Sequence, residues 1–389
     1  MIKEKPLYLA IDASSVKSEG GIIHLASILS EVNYSSDYVS KIVIWCFPDL
    51  KIRLPSSSKI SYCIIPSRYK NILMRLFWQL ILLPRDSNFL KCEAIYVPSG
   101  ICFNRNLPVI LFLQNLLPFQ PKEMIRYGLT FNLFRLIFIR FAQGISILMA
   151  KSIIFPSFYA SNIIRKSLFY NTSLPYYVVY HGVNLDFVSK PLDQISINNY
   201  SLDFPFIISY ISIIDVYKHH LNVFRAVKLL IKEDNLPVKL NFIGSADSNF
   251  AKKIISKIQS NPSIDSWFSY YPNIKHSLLK SFYSNSDLII NASSCESFGL
   301  SVLEAMACGK PIAASKDTVF KEILGESANY FDCLDYQDIY SCLRSLIYSA
   351  PKRTSIVNTS QIQIKRFSWA SSSRNTFRAI FESVRNPSS

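Results

Sequence analysis

The sequence predicts an α/β chain of two domains, each folded around its own parallel sheet. Three observations carry that expectation. Short, continuously apolar runs alternate with segments of helical periodicity, as parallel sheets buried on both faces require. A length of 389 residues accommodates two ordinary hydrophobic cores. A polar stretch at 187–203, with Pro191 and three Asn or Gln residues, divides the chain as a linker.

Strands in the first half are expected at residues 7–11, 42–47, 60–65, 94–97, 109–113, 153–155 and 177–180. After the first comes Asp12-Ala13-Ser14-Ser15, then Glu19, Gly20 and Gly21, then a helix at 22–32. A glycine pair between strand and helix leaves backbone near the sheet's C-terminal edge, where such folds bind ligands. Gln114 and Asn115 close the fifth strand at the same edge. Both can hydrogen-bond a hydroxyl, and neither acts as a base near neutral pH. Simple closure of the strand accounts for them equally well.

In the second half, strands are expected at 206–212, 238–244, 287–290 and 311–314. Lys218 lies beyond the first, near the start of a helix that runs through Val223, Ala226, Val227 and Leu230. A cation there can neutralise a diphosphate, although a lysine at a helix start is more often simply solvated. The stretch 291–315 reads as strand, polar loop, helix and strand. Glu296 in the loop and Glu304 in the helix flank Phe298, Gly299 and Leu300, whose N–H groups stand at the helix N-terminus. Such a terminus attracts phosphate, and Gly299 has no side chain to block a ligand. Ser301-x-x-Glu304 also fits a capping box, in which Glu304 ties off its own helix.

The bulk composition narrows the function classes. The net charge of +15 is uneven: residues 1–190 hold 21 Lys or Arg against 10 Asp or Glu, and 191–389 hold 21 against 17. That excess suits nucleic acid, an anionic membrane surface or a phosphate-bearing substrate. No zinc-ligand pattern, RNP-like sequence or basic-region helix is present, so nucleic acid is not expected as a partner. Basic and aromatic residues mix at 68–78, which fits a helix on a membrane surface or a core helix with basic ends. The N-terminus has too few apolar residues for a signal peptide. Apolar runs at 76–84 and 141–150 are bordered by Arg75, Arg85, Arg135 and Arg140 and fall short of about 20 residues, so no membrane crossing is expected. The eight cysteines form no C-x-x-C pair, and no metal site is expected from them.

The sequence CESFGLSVLEAMACGKPIAAS at 295–315 resembles the donor-site signature of the family-4 retaining glycosyltransferases, which have the GT-B fold. The resemblance implies two Rossmann-like domains with parallel sheets facing a central cleft. It implies an acceptor-binding domain at 1–187, a nucleotide-sugar domain at 188–366 and a terminal helix at 367–389 that crosses back to the first. It places Glu296 against the transferred sugar and Glu304 on the ribose, with Phe298, Gly299, Leu300 and Ser301 lining the donor site. YISIIDVYKHH at 210–220 resembles the family's phosphate clamp, with Lys218 at the lysine position and Ser212 where an arginine often stands. On the acceptor side, Gly20 and Gly21 correspond to the glycine-rich loop bordering the cleft. Gln114 and Asn115 stand where many relatives have His-Asp, which removes a candidate base. His181 falls in the His-Gly-Val turn before the linker, where a turn role is the plainer reading.

The activity so implied is transfer of a sugar from a nucleoside diphosphate sugar, with retention, to a saccharide or lipid-linked saccharide acceptor. Bacterial surface polysaccharide synthesis, O-antigen or capsule, is the setting the resemblance implies. Lys218 and the amides leave no metal or further cofactor to be required. A cytoplasmic protein, peripheral on the inner face of an anionic plasma membrane, is expected. The rivals are a GT-B epimerase of nucleoside diphosphate sugars and a non-catalytic sugar-binding protein. The first should cluster carboxylates and histidines in the first domain, and the second should lack the charged donor residues.

Overall fold

The computed structural model describes residues 5–167, 174–261 and 264–385. Residues 1–4 and 386–389, at the outer ends of the N-terminal segment and the terminal helix discussed above, lie outside the described residues. The chain divides into two compact units. One comprises Met1–Pro121, Leu129–Gly182 and Phe367–Ser389, and the other Lys122–Gly128 and Val183–Arg366.

The first unit holds seven strands: β1 (Leu7–Asp12), β2 (Val39–Cys46), β3 (Ile60–Ile64), β4 (Ala94–Val97), β5 (Val109–Phe112), β6 (Ser152–Phe155) and β7 (Tyr176–Val178). They pair in the order β3-β2-β1-β4-β5-β6-β7, every pair parallel. β4, β5 and β6 are buried along their whole length, which is why their sequences are apolar without alternation. The order reverses between β1 and β4, the place where loops part at the C-terminal edge of such a sheet.

Gly20 and Gly21 differ from expectation. They lie in the first turn of the helix Glu19–Ser30, whose Ser18 cap accepts the Gly21 N–H at 3.2 Å. The serine cap, placed just before the glycines, starts the helix earlier than the apolar pattern suggests. A Cβ on Gly21 would come 3.0 Å from Gln114 Nε2, so the bare glycine lets this helix start approach the end of β5.

The segment around 68–78 is not one amphipathic helix. A single turn at Ser67–Lys70, a helix Ile72–Phe77, a π-helical turn Trp78–Leu82 and a helix Leu83–Phe89 follow one another. Tyr69 and Trp78 are buried, and Lys70 pairs with Asp49 at 2.7 Å. The apolar run at 141–150, in contrast, belongs to a helix of 19 residues, Phe131–Met149, that carries Arg135 and Arg140 within it. By length and composition alone this helix could cross a membrane, contrary to the sequence expectation. One face binds it to the unit: Ser146 Oγ accepts the Cys102 N–H at 3.0 Å, and Arg140 donates to the Pro118 and Ser167 carbonyls.

The terminal helix Trp369–Arg385 packs within the first unit, where Ser373 Oγ donates to the Ile28 carbonyl at 2.8 Å. A Cβ on Gly182 would lie 2.1 Å from Trp369 N. The two backbones pass too closely there for any other residue.

The second unit holds β8 (Phe206–Ile211), β9 (Val238–Ile243), β10 (Phe268–Tyr271), β11 (Leu288–Asn291), β12 (Ile312–Ser315) and β13 (Asn329–Phe331). Their order is β10-β9-β8-β11-β12-β13, again all parallel. Phe206, Ile208, Tyr210, Leu240, Phe242 and Ile290 are among the side chains of its core. Here the order reverses between β8 and β11; the loop after β8 holds Lys218, the loop after β11 holds Glu296, and Glu304 lies on the helix that follows.

Candidate donor-binding site

The loop after β8 is held in place by its own polar residues. Asp215 Oδ1 accepts the Val216 N–H at 2.7 Å and the hydroxyl of Tyr127, from the segment Lys122–Gly128, at 2.9 Å. Tyr210 donates its hydroxyl to the Lys218 carbonyl at 2.8 Å. His219 takes a left-handed conformation, φ 48°, just before the helix His220–Asp234. Three bonds then stitch this loop to the one after β11: the Ser294 N–H and Oγ donate to the Tyr217 carbonyl at 2.8 and 3.3 Å, and His219 Nε2 meets Ser294 Oγ at 2.8 Å.

That stitching brings Lys218 and Glu296, 78 residues apart, into direct contact, with Nζ donating to Oε1. The side chains are 9% and 18% exposed, so the pair is largely enclosed yet still reached by solvent. Removing one partner of so enclosed a pair leaves the other uncompensated. Ser212 offers no second cation, and its hydroxyl donates to the adjacent Ile213 carbonyl.

Glu304 sits on the helix Leu300–Ala307, whose N-cap is Gly299 with no side-chain cap bond. The capping-box alternative therefore does not hold. Instead the carboxylate meets His276 Nε2 at 2.7 Å through Oε1 and accepts the Tyr283 hydroxyl at 2.8 Å through Oε2. Ser301 Oγ accepts from Asn291 at the end of β11, which fixes the helix start to the strand. Gly299 has φ 92°, and a Cβ there would meet the Phe320 ring at 2.6 Å. Its bareness is explained by this packing and backbone conformation, where the sequence suggested clearance for a ligand. Phe298 is buried.

Burial governs the protonation of the surrounding groups. It pushes His219 down to about 4, with the Arg126 charge adding to the effect, so this imidazole is neutral near pH 7. The Tyr210 and Tyr217 phenols are pushed up, first by burial and then by the charge of Glu296. Both remain donors.

Polar residues at the edge of the first sheet have different surroundings. Gln114 donates to the Pro98 carbonyl at 3.1 Å, and Asn115 is exposed. His181 is buried, its Nδ1 3.1 Å from that of His24, whose Nε2 lies 3.1 Å from the Tyr96 hydroxyl. His24 stacks on Phe112 with ring centroids 4.3 Å apart. This enclosure gives His181 a packing role and no path to a ligand. Among the described residues, no group of three or more His, Cys, Asp or Glu is placed to hold a metal ion.

The sequence picked out Lys218, Glu296, Glu304 and the glycine-led helix start, and the fold gathers them at one sheet edge. It missed Tyr283 and His276. They precede Glu304 by 21 and 28 residues, and no motif in the sequence joins them to it.

Residues 196–361 match the family model described as Glycosyl transferases group 1. A curated relative, O-antigen chain mannosyltransferase B of Escherichia coli, is 24% identical over 170 residues, covering 44% of each chain. The match thus spans under half the length of that relative. Among solved structures, HepE from Anabaena in complex with UDP-glucose has a TM-score of 0.71 at 15% identity, covering 97% of this chain and 100% of that one. Sucrose-phosphate synthase from Thermosynechococcus elongatus has a TM-score of 0.72 at 15% identity, covering 97% and 99%. At these identities the likeness is one of fold, the GT-B class with two Rossmann-like domains. Residues 196–361 are a glycosyl transferases group 1 domain.

Proposed function

We propose that this protein transfers a hexose from a nucleoside diphosphate sugar to a saccharide acceptor, with retention of configuration. The observation that carries the reading is the pairing of Lys218 with Glu296 across the loops after β8 and β11, with Glu304 on the helix that follows the second loop. A diphosphate there meets the Lys218 ammonium and the amides at the start of the helix Leu300–Ala307. Glu296, beside that ammonium, accepts hydrogen bonds from hydroxyls of the sugar, and Glu304 accepts those of the ribose.

The chemistry follows from the charges. As the bond from the anomeric carbon to the phosphate oxygen breaks, its electron pair stays on the diphosphate, and Lys218 stabilises that growing charge. The acceptor oxygen bonds to the same face of the carbon, and its proton passes to the departing phosphate oxygen. No protein base is required, which suits Gln114 and Asn115. No metal is required either, since Lys218 and the amides supply the positive charge.

The acceptor we propose is lipid-linked, in bacterial O-antigen or capsule synthesis, met at the inner face of an anionic membrane. The relative named for O-antigen mannosyl transfer supports the pathway class. The helix Phe131–Met149 supports the membrane contact: Phe131, Phe134, Phe138, Phe141, Ile145 and Leu148 recur at steps of three and four and are all exposed, as is Arg135.

A panel of nucleoside diphosphate sugars, read by thermal stability, tests the donor assignment. One base and sugar should raise the melting temperature above the rest. If none does while unrelated anions do equally well, the assignment fails.

A further inference from the structure

Glu304 is held by two side chains to which no role in donor recognition has been given. Tyr283 is fully buried on the helix Leu279–Ser284, and its hydroxyl lies 2.8 Å from Glu304 Oε2 and 3.0 Å from the Ser301 carbonyl. Phe187 packs edge-on to Tyr283, with ring centroids 5.8 Å apart, and also against His276 at 5.3 Å. His276 in turn reaches Oε1 at 2.7 Å. One aromatic ring therefore supports both partners of one carboxylate.

A carboxylate has about four lone-pair positions, two on each oxygen. Tyr283 and His276 occupy one on each, and one on each remains. A vicinal diol has two hydroxyl donors at fixed spacing, the number left over. A glutamate with three free torsions would have to be ordered by the ligand itself, at a cost in affinity that a held one avoids.

We propose that Tyr283 and His276 are positioning residues that orient Glu304 to read the 2′,3′-diol of the donor's ribose, making the site selective for ribonucleoside over 2′-deoxyribonucleoside diphosphates. The inference rests on the donor assignment above. Burial and the Glu304 charge keep the Tyr283 phenol protonated, so it stays a donor across the working pH range.

Titration calorimetry with ADP, GDP, UDP and their 2′-deoxy counterparts tests it. For the base that binds best, the wild type should favour the ribonucleotide by about tenfold or more, as for a hydrogen bond to a charged group. Tyr283→Phe should shrink that ratio at least about threefold. His276→Ala, at a partly exposed position, should shrink it in the same direction without threatening the core. An unchanged ratio in both variants overturns the proposal, as does equal weakening of both nucleotides, which is what mere loosening of the fold produces. A wild type that binds diphosphates without ribose preference also overturns it, together with the contact of Glu304 to the ribose, but leaves the diphosphate site at Lys218 standing. A wild type that binds no nucleoside diphosphate removes both.

Discussion

The two sheets end in polar side chains of opposite character. At the edge of the second, Lys218, Glu296, His276 and Glu304 are bonded in pairs, with side chains 9–24% exposed. At the edge of the first, Asp12, His24 and Tyr96 are fully enclosed, and His181 is 4% exposed. Gln79 donates to Asp12 at 2.7 Å, and burial is the largest influence on the Asp12 carboxyl, pushing it up. Position at a C-terminal sheet edge does not by itself make a group available to a ligand. Groups that keep both a partner and a path to solvent can exchange that partner for substrate, while groups bonded wholly inward serve the fold.

Lys218→Ala should show the contrast most strongly. Losing the cation that meets the growing phosphate charge should lower turnover ~100-fold or more, with a smaller rise in the Michaelis constant for the donor. Lys218→Arg should recover part of the rate, since charge is kept and reach is altered. Normal turnover in Lys218→Ala, measured with donor and acceptor, would place the phosphate site elsewhere.

Next in size is the division of labour between the two glutamates. Glu304→Ala should weaken the free nucleoside diphosphate by about 1.5–3 kcal/mol, the range for hydrogen bonds to a charged group. Glu296→Ala should leave that affinity almost unchanged and abolish preference among sugars. Calorimetry with diphosphate and sugar nucleotide in parallel checks both, and equal losses would show the roles to be misassigned.

A third measurement concerns the outer face of the first unit. The protein should sediment in part with anionic vesicles at low salt and be released as salt rises. Replacing Phe134, Phe138 and Phe141 by Ser should reduce binding more than replacing Lys70 and Arg75. Lys70 is paired with Asp49, and burial lowers the Arg75 pKa. No sedimentation at low salt would remove the membrane contact.

The smallest effect lies in the buried histidines. Burial holds His181 down to about 3, while an unfolded chain takes up its proton near 6.5. Between those values the unfolded state binds more protons, so stability rises with pH and is lost as pH falls from about 6.5 towards 3. From pH 7.5 to 6 the loss from His181 should be about 0.8 kcal/mol by this linkage. Urea midpoints at the two pH values read it, and His181→Asn should flatten the slope. An unchanged slope would mean that His181 is not enclosed.

Much of this molecule was legible in the sequence because its strands are wholly buried. β4, β5, β11 and β12 lie within or against apolar runs that stop at polar loops. β10 and β13 are short, with half-buried aromatic and polar residues, and their sequences do not announce a strand. Glu296 and Glu304 could be found because they lie close together along the chain. Their partners are brought in by the fold, and no sequence motif ties Tyr283, 21 residues upstream, to Glu304. At Gly299 the sequence suggested clearance for a ligand, whereas the obstacle to a side chain there is Phe320.

The close passage of Gly182 and Trp369 also bears on how the protein can be cut. The first unit is discontinuous along the chain, and its last piece is made only after the whole second unit. A fragment ending at Gly182 would lack the helix Trp369–Arg385 and would uncover apolar side chains such as Ile28 and Val32, which lie in or beside the elements this helix packs against. Most of the second unit, by contrast, is one uninterrupted stretch, Val183–Arg366. During synthesis the first sheet must therefore wait, incompletely covered, until the ribosome has delivered the helix Trp369–Arg385.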